Sequence, residues 1–360
     1  MINKINNLKF NPDYAVCPGI TMLEFLEHIG MTQAELAERT GRPKKTINEI
    51  IKGKQGITPE TAIQFERVLG MSASFWNNLE KNYREILARI REEKVLEKQL
   101  EWLNKIPVDH MIEYEWIKKH EDPVNQLQEV LSFFGVANVE KLENQCTEVI
   151  FRQSKKTKSD PWAVCAWLRK GELEGKDIQC NVYNKEKFTA ALMEIREMTA
   201  RKITDILDNW QRICAESGVA VTIVREFPKM RVNGATRWLS KDKALIQLSI
   251  LYKYVDILWF TFFHEAGHIL LHGKKDLFIE NGMKGGDDKE AHADKFAQNF
   301  LIPEQDYNVF LKSGNFSHIA VAEFAKKIKI APGIVVGRLQ HDNVIPFSQL
   351  NYLKPRLKWQ

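Results

Sequence analysis

Apolar residues recur at helical spacing along much of this 360-residue chain. Near the N-terminus the segments QAELAERT, KKTINEIIKG and TAIQFERVLG each place them on one face, as amphipathic helices do. The residues between these segments are typical helix starts and ends: a capping box at Thr32 and Glu35, a turn at Gly41-Arg42-Pro43, an end at Gly53, a start at Thr58-Pro59 and an end at Gly70. The pattern predicts a series of short helices over residues 20–69.

The rest of the chain mixes helical and alternating patterns. Residues 72–103 (SASFWNN to LEWL), 125–135 (NQLQEVLSFFG) and 187–217 (KFTAAL to ICAES) predict helices, the last of them a single long one. The segments VAVTIVREF and KALIQLSI predict strands, with a turn at Ser240-Lys241-Asp242 before the second. The predicted fold is therefore mainly α with a small β-sheet, in the α+β class.

Candidate chemistry lies in the run DILWFTFFHEAGHILLHGKK. A helix places His264 and His268 on one face, where two imidazole nitrogens can reach one metal ion. Glu265 lies one step round and could take a proton from a water that the metal activates. The helix is apolar on nearly every side, so it should be buried, and buried polar groups are costly unless something satisfies them. Two histidines hydrogen-bonded within a core are the alternative.

A third ligand is needed, because zinc hydrolases use three protein ligands and one open position. Leu271 and Lys274 stand where the metzincin pattern has Gly and His, which argues against that pattern. In the helical segment KEAHADKFAQNFLIP, Glu290 can supply a carboxylate. Asp294, one turn on, can accept a hydrogen bond from the far nitrogen of a ligating histidine. A solvated acidic face is the alternative. Two weaker ligand candidates lie nearby: His272 and His292.

The sequence HEAGH followed by E-x-x-A-D-x-F-A-x-x-F-L-I-P resembles the ImmA/IrrE family of zinc metallopeptidases. The resemblance extends through VNGATRWLSKDKALIQLSI and IAPGIVVGRLQHD, roughly residues 190–345. It implies a zincin-like domain in which His264, His268 and Glu290 bind zinc and Glu265 is the general base. Manganese or iron would also accept these ligands. Members of this family typically cleave a repressor of the phage or XRE type and so release transcription.

The resemblance also implies a substrate cleft. In zincins an edge strand just before the HExxH helix pairs with the extended substrate backbone. ALIQLSI is the expected edge strand, and Arg237 and Trp238 are expected to shape the cleft. A tryptophan is equally suited to a core.

The segment MTQAELAERTGRPKKTINEIIKGKQGITPETA resembles the XRE helix-turn-helix of phage repressors, and in detail HigA-type antitoxins. In that motif the second helix enters the major groove of DNA. The resemblance assigns DNA contacts to these residues: Gln33, Lys44, Lys45, Thr46, Asn48 and Glu49. Residues 31–54 hold six basic and three acidic side chains, a local charge of +3 that suits a polyanion. A packing or protein-binding module is the alternative. A homodimer reading a palindromic operator is expected.

The amino-acid composition restricts the class of protein to which the chain can belong. With 44% hydrophobic and 28% charged residues, the chain is expected to be a globular protein of two or three domains. No CxxC pair occurs among the five cysteines, so we expect neither a disulfide framework nor a thiolate zinc site. Free thiols, together with the lack of a signal peptide or a membrane-spanning apolar run, predict a cytoplasmic protein. The cysteines are Cys17, Cys146, Cys165, Cys180 and Cys214.

Four parts are predicted along the chain: a helix-turn-helix domain at 1–70, a helical linker that could dimerise at 71–104, a helical subdomain of undefined role at 105–187 and a metallopeptidase domain at 188–360. The main functional hypothesis is a DNA-binding regulator whose zinc endopeptidase cleaves a repressor, an antitoxin or itself. The alternative is a HigA-like antitoxin and autorepressor that neutralises a RelE-like toxin and whose peptidase fold binds or senses without cleaving. The expected partners are double-stranded operator DNA and a protein, namely an XRE repressor, an antitoxin or a toxin.

Overall fold

The computed structural model describes residues 14–152, 159–273, 278–280 and 288–358. The polar segments RQSKKTKSDPW and NGMKGGDDK, whose composition predicts loops, and the start of the chain lie largely outside the described residues. The chain divides into an N-terminal unit, Met1–Leu100, and a C-terminal unit, Glu101–Gln360. The finer division into four parts stays a prediction.

The N-terminal unit is built from short helices, as the pattern of apolar residues predicted. Gly41 and Gly70 adopt left-handed backbone conformations with φ of 66° and 84°, which ends the preceding helices. The helices are α1 (Pro18–His28), α2 (Gln33–Thr40), α3 (Lys44–Ile51), α4 (Pro59–Leu69) and α5 (Ala73–Leu96), and a 3₁₀ segment, Glu97–Asn104, follows α5.

The predicted capping box at the start of α2 is half formed. The hydroxyl of Thr32 accepts a hydrogen bond from the backbone N–H of Glu35 at 3.1 Å. The carboxylate of Glu35 instead pairs with Arg39 at 2.5 Å, because the two side chains are one turn apart on the helix surface.

The core of the N-terminal unit is a cluster of fully buried side chains contributed by each of its helices. Its largest members are Met22, Leu36, Ile47, Phe65 and Trp76, all 0% exposed. Burying one such side chain stabilises a fold by about 1.5–3 kcal/mol. The cluster therefore holds α2 and α3 in a fixed relation, with the polar face of α3 outward.

The C-terminal unit begins with four helices: α6 (Val108–Glu113), α7 (Pro123–Phe134), α8 (Val139–Arg152) and α9 (Pro161–Asp177). A disulfide joins Cys146 on α8 to Cys165 on α9, with the Cα atoms 5.7 Å apart. The expectation that all five cysteines are free is therefore wrong for this pair. The two cysteines are 19 residues apart, and the packing of the two helices, which no local motif encodes, brings them together.

The single long helix predicted over 187–217 is wrong. The structure has α10 (Lys185–Met198), a short 3₁₀ turn at Ile203–Asp205 and α11 (Leu207–Glu216). The hydroxyl of Thr199 donates to the carbonyl of Arg196 at 2.7 Å, a local bond that competes with continuation of the helix. Lys202 then takes an extended conformation.

Four strands of the described residues form one sheet, in the order β1-β3-β2-β4. Its strands are β1 (Val219–Ile223), β2 (Gly234–Ser240), β3 (Lys243–Leu248) and β4 (Phe278–Glu280). β3 runs parallel to β1 and antiparallel to β2, and β2 is antiparallel to β4. The expectation that ALIQLSI is an edge strand is therefore wrong, because this segment pairs on both sides.

The remaining helices are α12 (Val255–Leu271), α13 (Asp288–Leu301), α14 (Glu304–Lys312), α15 (His318–Lys327) and α16 (Pro332–His341), followed by a 3₁₀ turn, Asn351–Leu353. Of these, α12 packs against β2, β3 and β4 and also contacts α13 and α16. The main core fills the space between them. The C-terminal segment returns to the start of α12, where Lys354 forms an ion pair with buried Asp256 at 2.8 Å. In the described part of the chain, no helix has the length and apolar character to cross a bilayer.

Candidate metal centre and nucleic-acid interface

Two helices form the candidate metal centre. His264, Glu265 and His268 lie on α12 and are 1%, 0% and 2% exposed. A Cβ at Gly267 would lie 3.1 Å from the Phe296 ring and 3.3 Å from the Cα of Ala293 on α13. The glycine between the two histidines therefore lets α13 pack closely against α12, and this close approach brings Glu290 to the histidines.

The donor atoms converge on one point. The Nε2 atoms of His264 and His268 are 3.0 Å apart. The carboxylate of Glu290 lies 3.2 Å from His264 Nε2 and 3.5 Å from His268 Nε2. Ligand atoms held roughly 2.1 Å from a tetrahedral ion are about 3.4 Å from one another, so this donor set fits a divalent cation.

Asp294 fixes the proton of His264. Its Oδ1 atom is 2.9 Å from Nδ1 of the imidazole. Because a carboxylate accepts, Nδ1–H donates, and Nε2 then presents its lone pair toward Glu290 and His268. The carboxylate of Asp294 therefore holds the imidazole of His264 on the side that faces away from the other donor atoms.

The charge state of Glu290 also suits a cation site. Burial acts to raise its pKa, but the adjacent imidazoles of His264 and His268 outweigh burial and hold the pKa at about 2. Burial lowers the pKa of His268, against an opposing effect of Glu290. An ionised carboxylate next to neutral imidazoles is the form in which these groups bind metals.

Glu265 lies in a crevice between α12 and β2. A Cβ at Gly234 would be 2.7 Å from its Oε1 atom, so only glycine leaves room for the carboxylate. The hydroxyl of Thr236, two residues on, donates to the backbone carbonyl of Glu265 at 3.2 Å. β2 is thus fixed directly beside Glu265. Neither β2 residue stands out in the sequence as a site residue, although NGATRW belongs to the segment that carries the resemblance.

α10 holds the ends of both metal-site helices. Lys185 donates to the carbonyl of Leu270 at the end of α12, at 3.0 Å. The Nε–H of Arg196 is shared between the carbonyls of Phe300 and Leu301 at the end of α13, at 2.8 and 3.0 Å. Basic groups at helix C-termini stabilise the last carbonyls. Because these contacts join residues far apart in the chain, no sequence motif marked them.

The weaker ligand candidates lie at the margin of the site. His272 ends α12, and its Nε2 hydrogen-bonds the carbonyl of Lys289 at 3.0 Å. His292 is exposed, with its ring 6.3 Å from that of His272. Within the described residues, the cluster that could hold a metal is His264, His268 and Glu290.

The two residues expected to shape the cleft have other positions. Arg237 pairs with Glu172 of α9 at 3.0 Å. Successive residues of a strand face opposite ways, and Thr236 faces α12, so Arg237 points to the other side of the sheet. Trp238 packs edge-on against Tyr183, 4.9 Å away, at the border of the core. The expectation for Arg237 is therefore wrong, and Trp238 is part of the core packing.

The candidate DNA contacts cluster on α3 and the start of α2. Lys44 and Lys45 are exposed at the first turn of α3, and Thr46 and Asn48 are half-buried further along the same helix. Gln33 is half-buried at the start of α2. Lys45 lies 3.9 Å from Glu49, one turn on. Glu49 is therefore partly neutralised within its own helix.

Comparison with known proteins gives two family matches. Residues 22–76 match the helix-turn-helix family, and residues 258–339 match the IrrE N-terminal-like domain. The chain therefore belongs to the helix-turn-helix family through its N-terminal unit and carries an IrrE N-terminal-like domain in its C-terminal unit. The predicted resemblances at both ends are confirmed, as is the mainly α fold with a small sheet.

Individual relatives match the N-terminal part. Virulence-associated proteins A and I of Dichelobacter nodosus are each 34% identical, over 68 and 70 residues; the matches cover 18% and 19% of this chain and 67% and 65% of those proteins. An addiction module antidote protein of the HigA family from Coxiella burnetii is 28% identical, covering 23% of this chain and 92% of that one, with a TM-score of 0.22. The Pseudomonas aeruginosa antitoxin HigA with the higBA promoter is 31% identical, covering 24% and 94%, with a TM-score of 0.22.

Proposed function

We propose that this protein is a DNA-binding transcriptional regulator whose C-terminal domain is a zinc-dependent endopeptidase. The convergence of His264, His268 and Glu290 beside Glu265 carries the proposal, because this is the donor set and base of a hydrolytic zinc site. The substrate is a protein: a repressor, an antitoxin or a segment of this chain itself. The domain assignment, zinc as the metal, the homodimer and a cytoplasmic location belong to the same proposal.

His264, His268 and Glu290 would hold the metal. When bound, a divalent cation supplies Lewis-acid activation of water and of the scissile carbonyl. Asp294 keeps His264 in the tautomer that leaves Nε2 unprotonated. Glu265 accepts a proton on its carboxylate from the attacking water and delivers it to the leaving amine. Gly234 and Thr236 keep Glu265 in place for both transfers.

The regulatory half of the proposal rests on the helix-turn-helix unit. The exposed Lys44 and Lys45 begin α3, the helix that corresponds to the groove-binding helix of this motif. Lys44, Lys45 and Glu49 would face base edges, with Thr46 and Asn48 beside them. Gln33 would contact the phosphate backbone. A domain of this size binds operator DNA as a dimer, each copy reading one half-site.

The test is a comparison of the parent with Glu265→Gln, which keeps the shape of the side chain and removes the base. Both should bind one zinc ion per chain by metal analysis. The variant should lose cleavage of a co-expressed partner by about 10²–10⁴-fold. Glu304→Gln, which changes an exposed carboxylate at the start of α14, is the matched control and should cleave like the parent. If parent and variant both leave every partner intact while operator binding persists, the peptidase proposal fails.

A second candidate function is an antitoxin and autorepressor whose peptidase fold binds a partner without cleaving it. The complete burial of Glu265 favours this reading, since a working base must meet its substrate. It predicts neutralisation of a co-expressed toxin by both the parent and Glu265→Gln. In that case, metal removal would lower the stability of the fold. No cleavage activity would be lost, because the protein would have none.

A further inference from the structure

β2 is the strand that lies beside the candidate catalytic group. Gly234 contacts the carboxylate of Glu265, and Thr236 bonds its main chain. One edge of β2 pairs with β3. An extended polypeptide that reaches Glu265 would therefore add to the other edge of β2, through main-chain hydrogen bonds.

That edge is already filled by the chain itself. β4 runs antiparallel to β2 in the register Gly234↔Glu280, Ala235↔Ile279 and Thr236↔Phe278. The three pairs start at the glycine beside Glu265 and end at the threonine that bonds the Glu265 carbonyl. β4 thus occupies the length of strand along which a bound peptide would pass the site.

Phe278 closes the site from this strand. Its ring stacks on the imidazole of His268, with centroids 4.0 Å apart and an angle of 15° between the planes. Phe278 is 8% exposed, and Glu265 is completely buried. Of the clustered side chains, Glu290 alone keeps substantial exposure, 29%. In this arrangement a peptide carbonyl is kept from Glu265.

β4 is short enough to be displaced. It contains three residues, and in the described part of the chain it pairs only with β2. Short edge strands open at low free energy compared with a whole domain. We propose that β4 is an autoinhibitory strand that occupies the substrate's place and must leave β2 before cleavage. This inference rests on the zinc peptidase function proposed above.

The first test measures the affinity of the zinc-saturated protein for a tripeptide hydroxamate, which combines a zinc-chelating group with a strand-forming backbone. Phe278→Ala should bind it about tenfold more tightly than the parent, because less free energy is spent on displacing β4. Phe310→Ala is the matched control: Phe310 is also 8% exposed and stacked, on Phe324, in another part of the core. Its affinity should stay within about twofold of the parent. Unchanged or weaker binding by Phe278→Ala overturns the inference.

A second variant fixes β4 instead of loosening it. Ala235→Cys with Ile279→Cys places two thiols on directly paired residues, where a disulfide can form. The oxidised variant should bind the hydroxamate at least about tenfold more weakly than its reduced form. The parent taken through the same treatment controls for Cys146–Cys165. Equal affinity of the two forms overturns autoinhibition.

The outcomes separate this inference from the proposed function. If the parent chain binds no zinc, both the proposed metal centre and the proposed autoinhibition are refuted. A parent that binds zinc and hydroxamate, but whose affinity responds neither to Phe278→Ala nor to the cross-link, keeps its peptidase site and loses only the role given to β4.

Discussion

Gly234 lies so close to Glu265 that a methyl group on it would come within 2.7 Å of the carboxylate oxygen and 2.9 Å of Cγ. Gly234→Ala should therefore push the carboxylate aside. A displacement of about 1 Å from the reacting groups costs roughly 10²-fold in rate. We expect that loss in kcat/KM for the partner cleaved by the parent, with zinc affinity unchanged. Gly273→Ala, where a Cβ meets open space, is the control. Full activity of Gly234→Ala would show that the contact is unimportant.

Asp294 should matter for metal affinity rather than for the fold. Removing the carboxylate that orients a ligating histidine typically weakens metal binding by about 10–100-fold. Asp294→Ala should show that loss in a zinc competition titration, and Asp294→Asn, which keeps an acceptor oxygen, should lose less. Asp208→Ala removes an exposed carboxylate on α11 and should bind zinc like the parent. Equal affinity of all four proteins would exclude the orienting role.

Arg196 should affect stability and metal binding together. Arg196→Gln leaves the carbonyls at the end of α13 without their charged donor, at a cost of about 1–3 kcal/mol in the free energy of unfolding. Because α13 carries Glu290, zinc affinity should fall as well, and Arg196→Lys should recover part of both. Denaturant unfolding and zinc titration measure the two effects. Lys187→Gln, an exposed change on the same helix, should alter neither.

Glu172 should give the stability a dependence on acid pH. Burial acts to raise its pKa, but the cations of Lys176, Arg237 and Arg169 outweigh burial and lower it. A carboxyl whose pKa is lowered on folding stabilises the fold above its unfolded pKa, and this stabilisation is lost as pH falls through the folded value. The parent should therefore lose stability below about pH 4.5, the usual value for Glu.

The matched variant for this prediction is Glu172→Gln. It should cost about 1–3 kcal/mol at neutral pH, because it removes the buried carboxylate to which Arg169, Lys176 and Arg237 are paired. It should also show a flatter stability profile in denaturant melts across the acid range. If the stability of Glu172→Gln fell with pH as steeply as that of the parent, the acid sensitivity would arise from groups other than Glu172.

Lys45 should contribute to operator binding. Its side chain is 84% exposed and lies 3.9 Å from Glu49. Lys45→Ala should weaken binding to operator DNA about tenfold and lower the slope of affinity against salt by about one ion. Lys81→Ala on α5 changes an exposed lysine of the same unit and serves as the control. Unchanged affinity and an unchanged salt slope would exclude Lys45 from the DNA interface.

Features of the fold and of the site that depend on local sequence pattern could be predicted from the sequence. The buried α12 followed from its continuous apolar residues, and the helices of the N-terminal unit followed from Thr32, Gly41 and Gly70 at their ends. Spacing also singled out Glu290 and Asp294, because four residues make one helical turn. The site residues lie where these patterns suggested, and their chemical roles stay predictions until tested.

Contacts between distant segments could not be predicted in this way. The order of the strands depends on which edges pair, so the pattern of β3 alone could not reveal that β2 lies beside Glu265. β4 has three residues, too few for an alternating pattern. The hydrogen bonds of Arg196 and the pairing of Cys146 with Cys165 arise only when the helices pack.

The return of the C-terminal segment to α12 has a consequence for where this domain ends. The carbonyl of Pro355 accepts a hydrogen bond from the N–H of Val255, and the N–H of Leu357 donates one to the carbonyl of Lys253. Pro355 and Leu357 therefore hold the first turn of the histidine-bearing helix in place. The family match stops at residue 339. A fragment cut at that point would lack both bonds and would leave Asp256 buried without its cation. A form of the domain that keeps these contacts must therefore extend through Leu357.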